Sequence, residues 1–380
     1  MRIAINTRFL LSNKLEGFGW YTYEVVSRII KNNPDCEFIL FFDRAVDPKF
    51  IFEGNVKNVV LSPPARHPIL FFIWFEWSVR RALKKYKVDV FLSPDGYLSL
   101  FSKTPQIHVI HDIGFEHYPK DIPWLASKYL RFFFPRFAKK SRKILTVSNA
   151  TKNDIVSKYD IAPEKIKVAW NGVSSIYSPF TDKQKESFCL EHTNDKSYFL
   201  FVGSIHPRKN VQRLIEAYSL FINETKSNLR LVIIGSNMWQ GTSLSIPQNV
   251  KSSVDFTGHL SSEMLSKYMA SAFALVYVPY FEGFGLPLVE AMACGIPIIS
   301  GDKTSLPEIA GNAAVYCNPF DVNEIKTQMI NLFSDKKLQQ KLSVNALERK
   351  NLFCWDNTAK LVWDEVVFCY ERSKSSYKFD

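Results

Sequence analysis

The sequence predicts an α/β protein with two domains, each built on a doubly wound parallel sheet. Its 380 residues are about twice the length of an average domain, and 46% of them are hydrophobic, which is enough for two cores. Short apolar strand patterns alternate with helical patterns, as in parallel sheets. The alternation stops at a polar segment, residues 182–195, and restarts at residue 198. We therefore interpret this segment as a linker.

The elements follow in order along the chain. First-domain strands are predicted at residues 3–7, 37–42, 58–61, 88–93, 107–110, 143–147 and 165–170, with a helix at 21–31 that follows a loop containing Gly17 and Gly19. Second-domain strands are predicted at residues 198–204, 231–235, 254–257, 273–278 and 298–300. Apolar residues at helical spacing near the end predict a C-terminal helix. The expected segments are 1–178, 197–355 and 356–380.

The net charge of +11 is placed unevenly. Residues 1–175 contain 27 Lys and Arg against 16 Asp and Glu, whereas the remaining residues contain 21 of each kind. A basic first half predicts an acidic partner for that half: anionic lipid, nucleic acid or a phosphorylated acceptor. There is no signal-peptide pattern and no membrane-spanning window. The six scattered cysteines are typical of a reduced protein, so we expect a cytoplasmic location.

The richest functional pattern lies between the apolar run 273–278 and Pro297. A loop with Gly283 and Gly285 follows the predicted strand and opens a helix. The free amides and positive dipole end of such a helix can bind a phosphate. Glu282 precedes the loop, and Glu290 lies about one turn into the helix, so each carboxylate can reach a sugar attached to that phosphate.

Two further segments carry charged or titratable residues at predicted strand ends. Arg208 and Lys209 follow strand 198–204, where open α/β sheets bind ligands, and together they can neutralise a diphosphate without a metal. His111 and Asp112 follow strand 107–110. An imidazole can bind a sugar hydroxyl and exchange a proton near neutral pH. His108 is expected to be structural.

The string from Phe281 to Pro297, with two glutamates separated by seven residues, resembles the E-x7-E signature of retaining glycosyltransferases of family 4. This resemblance implies the GT-B fold, in which two Rossmann-like domains face each other across a cleft and the C-terminal helix crosses back to the first domain. It implies transfer of a hexose from a nucleoside diphosphate sugar to a hydroxyl, with retention at the anomeric carbon and with no metal or other cofactor.

The resemblance also implies a role for each motif residue. Arg208, Lys209 and the 283–285 amides would hold the diphosphate. Glu290 would bind the ribose, Glu282 the donor sugar, and His111 the transferred sugar. The implied catalytic set is His111, Glu282, Arg208 and Lys209. The donor-binding set adds Gly17, Gly19, Gly203, Gly235, His259, Leu260, Gly283, Phe284, Gly285, Leu286 and Glu290, and the acceptor set is Asp112 and Ser148. Ser305 is expected to cap a helix.

The segment 305–314 resembles bacterial mannosyltransferases of O-antigen and capsule synthesis. GDP-mannose is therefore the first donor expected, with a lipid-linked oligosaccharide at the inner membrane face as acceptor. The alternatives are a glucosyl- or N-acetylglucosaminyltransferase that uses a UDP-sugar, and a non-catalytic binding subunit. Stretches 69–77 and 129–137 are rich in aromatic residues and flanked by Lys and Arg, which is typical either of an interfacial membrane surface or of a core with a solvated rim.

Overall fold

The computed structural model describes residues 1–11, 15, 17–236 and 244–376. The chain forms two compact units. Unit 1 comprises Met1–Gly172 and Cys354–Asp380, of which the last four residues lie outside the described part, and unit 2 comprises Val173–Phe353. The C-terminal segment therefore folds with the N-terminal domain.

Unit 1 contains one parallel sheet and helices. Its strands are β1 (Arg2–Asn6), β2 (Glu37–Phe42), β3 (Val56–Val60), β4 (Val90–Ser93), β5 (Gln106–Ile110), β6 (Lys143–Thr146) and β7 (Ile166–Val168). Its helices are α1 (Gly17–Asn32), α2 (Pro68–Ile73), α3 (Arg80–Lys85), α4 (Gly114–His117), α5 (Trp124–Lys140) and α6 (Asn149–Tyr159). A π-helical segment, Trp74–Val79, joins α2 to α3.

The strand order in unit 1 is β3-β2-β1-β4-β5-β6-β7, and every pairing is parallel. All seven strands were predicted. The inner strands are buried on both faces and are nearly continuous apolar runs, whereas the edge strands β3 and β7 are largely half-buried or exposed. The direction of winding reverses between β1 and β4. Open α/β sheets bind ligands at the carboxyl ends of the strands beside such a switch point.

Unit 2 has the same plan. Its strands are β8 (Tyr198–Val202), β9 (Arg230–Ile234), β10 (Val254–Gly258), β11 (Ala274–Tyr277), β12 (Ile298–Gly301) and β13 (Ala314–Cys317). Its helices are α7 (Asp182–His192), α8 (Val211–Thr225), α9 (Ser262–Ser271), α10 (Leu286–Cys294), α11 (Leu306–Ala310), α12 (Val322–Ser334) and α13 (Lys336–Arg349), and α14 (Trp355–Ser376) belongs to unit 1. The strand order is β10-β9-β8-β11-β12-β13, which places the switch point between β8 and β11.

Two predictions for unit 2 were wrong. Strand β13 was missed although its four residues are apolar; the first and last of them are buried and the middle two are half-buried. The polar segment 182–195 is not a linker, because most of it forms helix α7. Thr181 and Gln184 make a reciprocal capping box at the start of this helix, and Phe188 is buried against Tyr268 of α9.

Helix α14 packs on α1, as the resemblance implied. Asp356 at its start accepts a hydrogen bond of 2.7 Å from Arg28 of α1. The rings of Trp355 and Tyr21 lie 6.0 Å apart. The described part of the chain contains no helix with the length and apolarity that crossing a bilayer requires.

The two aromatic stretches are divided between core and surface. Trp74, Phe75 and Phe137 are at most 1% exposed and belong to the core of unit 1. Ile69 is 61% exposed, and Phe132 is 52% exposed. Neither alternative for these stretches therefore holds for all of their residues.

Candidate active site

The candidate donor site of unit 2 lies at the switch point between β8 and β11. Residues 203–210 follow β8, residues 278–285 follow β11, and residues 302–305 follow β12. Because the carboxyl ends of parallel strands meet at one edge of the sheet, these segments converge. Arg208, Lys209 and Glu282 come together there.

The turn after β8 positions Arg208 and Lys209. The backbone N–H of Arg208 donates to Nδ1 of His206 at 3.4 Å. Asn210 ends the turn in the left-handed region, with φ 62°, a conformation that asparagine tolerates well. Its side-chain amide donates to the carbonyl oxygen of Val278 at 2.9 Å. The turn is therefore fastened to the end of β11.

Glu282 lies between the two cations. Its Oε1 accepts a short hydrogen bond from Nζ of Lys209 and lies 3.9 Å from Nη1 of Arg208. Nζ of Lys209 also donates to the hydroxyl of Tyr277 at 2.7 Å. Burial raises the pKa of Glu282, but Lys209 and Arg208 outweigh it and hold the pKa below its ordinary value. The carboxylate is thus ionised at neutral pH, and the three charges leave a net positive site.

Helix α10 begins where the sequence predicted. Gly285 precedes it with φ 98°, Pro287 lies in its first turn, and Gly295 ends it with φ 67°. Pro287 has no N–H, and the N–H of Leu288 donates to the carbonyl oxygen of Gly285 at 2.9 Å, so the helix presents mainly its positive dipole end to a ligand. The ring of Phe284 is 4% exposed, so only its backbone is available to a ligand. Leu286 is the first residue of the helix.

Two hydroxyls fix the loop before α10. The backbone N–H of Glu282 donates to Oγ1 of Thr304 at 3.1 Å. Oγ of Ser305 donates to the carbonyl oxygens of Glu282 at 3.0 Å and of Phe284 at 3.1 Å. The prediction that Ser305 caps α11 was wrong, because its hydroxyl faces the loop and makes no capping bond.

Glu290 lies on α10. No cation is among the groups that shift its pKa. Burial raises this pKa from 4.5 to about 7, and a hydrogen bond from the hydroxyl of Tyr177 opposes the shift. The buried carboxylate can still accept further hydrogen bonds, and vicinal hydroxyls are suitable donors. Such donors stabilise the ionised form.

The raised pKa of Glu290 predicts a pH-dependent stability. Between about pH 4.5 and 7 the folded protein retains a proton that the unfolded chain releases, so stability falls as pH rises through this window. The expected contribution is about 3 kcal/mol. As pH rises from 4.5 to 8, the free energy of unfolding of Glu290→Gln, measured with urea, should increase by this amount relative to that of the wild type. A stability difference that is constant with pH would contradict the raised pKa.

Three glycines occupy the carboxyl ends of neighbouring strands. Gly203 follows β8, Gly235 follows β9, and Gly258 ends β10, with positive φ values of 148°, 151° and 73°. The N–H of Gly235 donates to the carbonyl oxygen of Gly258 at 2.9 Å. His259 is exposed and Leu260 is half-buried beyond this edge. The expected nucleotide-binding residues of β8 to β10 thus share one edge of the sheet.

In unit 1, His111 follows β5 next to the switch point. Its Nε2 lies 2.8 Å from the carbonyl oxygen of Pro94, which can only accept, so Nε2 carries the proton and Nδ1 presents a lone pair. Burial lowers the pKa of His111, which favours this neutral form. The rings of Phe18 and Tyr21 meet the imidazole edge-on at 4.7 and 4.8 Å. His108 is fully buried, as expected for a structural residue.

The structure gives Asp112 and Ser148 local hydrogen bonds. Oδ1 of Asp112 accepts from the backbone N–H of Gly114 at 2.9 Å, which opens α4. Ser148 is fully buried and caps α6 by accepting from the backbone N–H of Thr151 at 3.1 Å. The hydroxyl of Ser148 is thus engaged in capping α6, and its assignment to the acceptor stays a prediction.

Gly17 and Gly19 do not form a loop. They lie in the first turn of α1, which begins four residues earlier than predicted. A Cβ on Gly19 would lie 2.8 Å from the carbonyl oxygen of Phe9 and 2.7 Å from Cδ2 of Leu15. Gly19 therefore permits a close approach between α1 and the preceding segment.

Several site residues had no signal in the sequence. Arg8, after β1, forms a buried ion pair of 2.5 Å with Asp95, after β4, and so closes the switch point of unit 1. The hydroxyl of Tyr177 forms a hydrogen bond with Glu290, although the two residues are far apart in the sequence. Only Asn210 could have been found, because an asparagine directly after a basic pair at a strand end is a turn signal.

Comparison with known protein families agrees with this geometry. Residues 15–175 match the family model described as Glycosyltransferase Family 4, and residues 182–349 match the model described as Glycosyl transferases group 1. The two matches together span most of the chain. This chain belongs to glycosyltransferase family 4. The family 4 assignment confirms the resemblance inferred from the sequence, and the chain is a glycosyltransferase of a retaining family.

The relatives of this family 4 glycosyltransferase include two bacterial enzymes. It is 27% identical to the O-antigen chain mannosyltransferase B of Escherichia coli over 365 residues, which cover 90% of this chain and 93% of the relative. It is 28% identical to the O-antigen chain mannosyltransferase RfbU of Salmonella typhimurium over 284 residues, which cover 73% and 75%. Among solved structures, sucrose-phosphate synthase from Thermosynechococcus elongatus matches with a TM-score of 0.79 and 18% identity over 99% of both chains, which confirms the GT-B fold.

Proposed function

We propose that this glycosyltransferase transfers mannose from GDP-mannose to a lipid-linked oligosaccharide acceptor in the synthesis of a cell-surface polysaccharide. The observation that carries the proposal is the net positive cluster of Arg208, Lys209 and Glu282 beside the N-terminus of α10. Cations and the positive end of a helix dipole at one strand edge suit a diphosphate. The alternative of a non-catalytic binding subunit has less support, because both halves of the chain match glycosyltransferase family models.

Different residues of unit 2 would bind different parts of the donor. Arg208, Lys209 and the amides at residues 283–286 would bind the diphosphate. Glu290, buried and held by Tyr177, would accept hydrogen bonds from the ribose hydroxyls. Glu282 would accept from the donor sugar while it remains paired with Lys209. The edge formed by Gly235, Gly258 and His259 would receive the base.

In the proposed chemistry, the main contribution of the protein is to stabilise the charge of the leaving group. When the glycosidic C–O bond breaks, negative charge develops on the leaving diphosphate oxygen, and Arg208 and Lys209 would stabilise it. Retention would follow from attack on the same face that the diphosphate leaves, with a leaving phosphate oxygen taking the proton of the acceptor hydroxyl. This route requires no enzyme nucleophile. Metal-independent transfer remains a prediction.

In unit 1 we assign His111 to a sugar hydroxyl. Its Nδ1 lone pair accepts, while Nε2–H is held by the carbonyl oxygen of Pro94. The neutral imidazole therefore binds and orients a hydroxyl and carries no charge. Asp112, which opens the next helix, is assigned to the acceptor.

The donor sugar and the acceptor are proposed from the relatives. Both O-antigen mannosyltransferases align over most of this chain, which supports mannose as the transferred sugar. A lipid-linked acceptor and a peripheral location on the inner membrane face suit the basic first domain, with its 27 Lys and Arg against 16 Asp and Glu in residues 1–175. A UDP-sugar donor is the second candidate.

The test is thermal stabilisation of the full chain by GDP, UDP, dTDP and ADP. A nucleotide at about 100-fold its dissociation constant adds about 2.7 kcal/mol of stability. We expect GDP to give the largest shift, and we expect Arg208→Ala and Glu290→Ala to lose it. Arg213→Ala is the matched control for an arginine of unit 2, because Arg213 bonds to Asn210 on the helix side of the turn.

Three outcomes decide between the candidates. A shift by UDP alone would replace GDP-mannose with a UDP-sugar. No shift by any nucleotide would contradict the donor site. A GDP shift without transfer of mannose to any prenyl diphosphate-linked saccharide would contradict the proposed donor sugar or the proposed acceptor.

A further inference from the structure

Helix α2 is apolar and unusually exposed. Its six residues are Pro-Ile-Leu-Phe-Phe-Ile, and none of them is buried. Ile69 is 61% exposed and Phe72 is 40% exposed. The residues that follow at once, Trp74 and Phe75, are fully buried. The helix is thus anchored at its C-terminal end and presents an apolar surface that a soluble domain would ordinarily cover.

A groove of about 730 Å³ runs between α2 and α5. Ile69 and Phe72 line it from α2, and Leu125 and Phe132 line it from α5. The rings of Phe72 and Phe133 pack 5.8 Å apart and join the two helices. The groove is therefore formed by packed, largely apolar side chains.

Positive charge borders the apolar lining. Lys128 and Arg131 of α5 line the same groove. Its one acidic lining residue, Glu116, accepts a hydrogen bond of 3.1 Å from Tyr159 and one of 3.2 Å from Arg131. A ligand that fits this surface has a hydrocarbon body and an anionic head.

One lining residue of the groove belongs to the helix that follows the His111 segment. Glu116 belongs to α4, the helix that Asp112 opens by accepting the N–H of Gly114. The same helix therefore connects the groove lining with the residues assigned to the acceptor. An amphiphile in the groove would thus contact the helix that follows the end of β5.

We propose that the α2–α5 groove binds the hydrocarbon chain of a lipid acceptor whose phosphate head lies at Lys128 and Arg131. This inference rests on the proposed function, because it assigns the lipid portion of that acceptor. A second copy of the chain is a poorer occupant, since it would bring the same cations against each other. The bilayer itself and a peptide are the other possible occupants, and the experiment separates them.

The test compares two diphosphates that differ only in chain length. Farnesyl diphosphate and dimethylallyl diphosphate are titrated into the full chain by calorimetry, so that binding of the head group elsewhere cancels in the ratio. We expect the wild type to prefer the longer chain by roughly tenfold or more, because only the longer chain fills the groove. Ile69→Asp should abolish this preference, because a carboxylate replaces an apolar contact.

Ile51→Asp is the matched control. Ile51 is 62% exposed, against 61% for Ile69, belongs to the same unit and does not line the groove. It should retain the chain-length preference. Equal preference in Ile69→Asp and the wild type would overturn the proposal, and so would equal losses in Ile69→Asp and Ile51→Asp.

Two further readouts separate the remaining explanations. Sedimentation with phosphatidylglycerol vesicles that lack prenyl lipid tests the bilayer: if Ile69→Asp loses vesicle binding but keeps the chain preference, the face binds membrane and the groove proposal fails. GDP stabilisation of Ile69→Asp tests folding and the donor site. Absence of GDP stabilisation in the wild type, with the chain preference intact, would overturn the proposed function and support the groove as a lipid site.

Discussion

Replacing Gly235 with alanine is expected to cost unit 2 more stability than any other single-methyl substitution at the candidate site. The added Cβ would lie 1.9 Å from the carbonyl oxygen of Gly203 and 2.6 Å from its carbonyl carbon. Both atoms are backbone, so no side-chain rotation relieves the clash, and φ at Gly235 is 151°. We expect a loss of about 3 kcal/mol or more, since overpacking and backbone strain add. Urea unfolding of the full chain, with hydrogen exchange in β8 and β9, measures it.

Gly258→Ala is the matched control. Gly258 also has positive φ, 73°, but nothing lies within 4 Å of its added Cβ. Gly258→Ala should lose only about 1 kcal/mol of stability, which is the cost of a left-handed conformation for alanine. If both variants lost the same stability, the close approach of β8 and β9 would not be the cause. GDP stabilisation should disappear in Gly235→Ala, because the turn carrying Arg208 and Lys209 begins at Gly203.

Removing one partner of the buried ion pair should lower the stability by a comparable amount. Lys209→Met leaves the Glu282 carboxylate, which is 8% exposed, without its closest cation. Glu282→Gln leaves Lys209, whose side chain is 13% exposed, without its carboxylate. Glu282→Gln should cost about 3–5 kcal/mol, because an uncompensated charge remains buried. Lys209→Met should cost less, because Arg208 still lies 3.9 Å from the carboxylate.

The double variant Lys209→Met with Glu282→Gln separates the charge from the packing. It should recover much of the lost stability, because neither charge remains, yet transfer activity should stay absent in all three variants. Unfolding free energies give the coupling between the two positions as a double-mutant cycle. Additive losses would show that the pair does not interact in the folded protein.

Much of the fold was predictable from the sequence because it rests on local patterns. Apolar runs bounded by polar residues located twelve strands, and Pro287 with Gly295 marked the limits of α10. Two of the errors occurred where tertiary contacts override local signals, whereas α7 begins with a local capping box that was not recognised. A glycine pair became the first turn of α1, a polar segment became α7, and the hydroxyl of Ser305 serves a loop carbonyl instead of a helix end.

The candidate site was predictable as a set of residues but not as an arrangement. Arg208, Lys209 and Glu282 were each expected to contact the donor, and none was expected to contact the others. Their ion-pair cluster follows from the adjacency of β8 and β11, which the order β10-β9-β8-β11-β12-β13 creates. The raised pKa of Glu290 likewise depends on burial by surrounding elements, to which its sequence neighbours give no guide.

The sequence by itself determined the family, the two α/β domains, the glycine loop before α10 and the identity of the charged residues. These features depend on periodicity, turn chemistry and spacing along the chain. Only the tertiary structure decided which strands lie side by side, which charges neutralise each other and which aromatic residues of the 69–77 and 129–137 stretches face solvent. Those outcomes depend on contacts between residues far apart in sequence, because strand order and burial are properties of the packed chain.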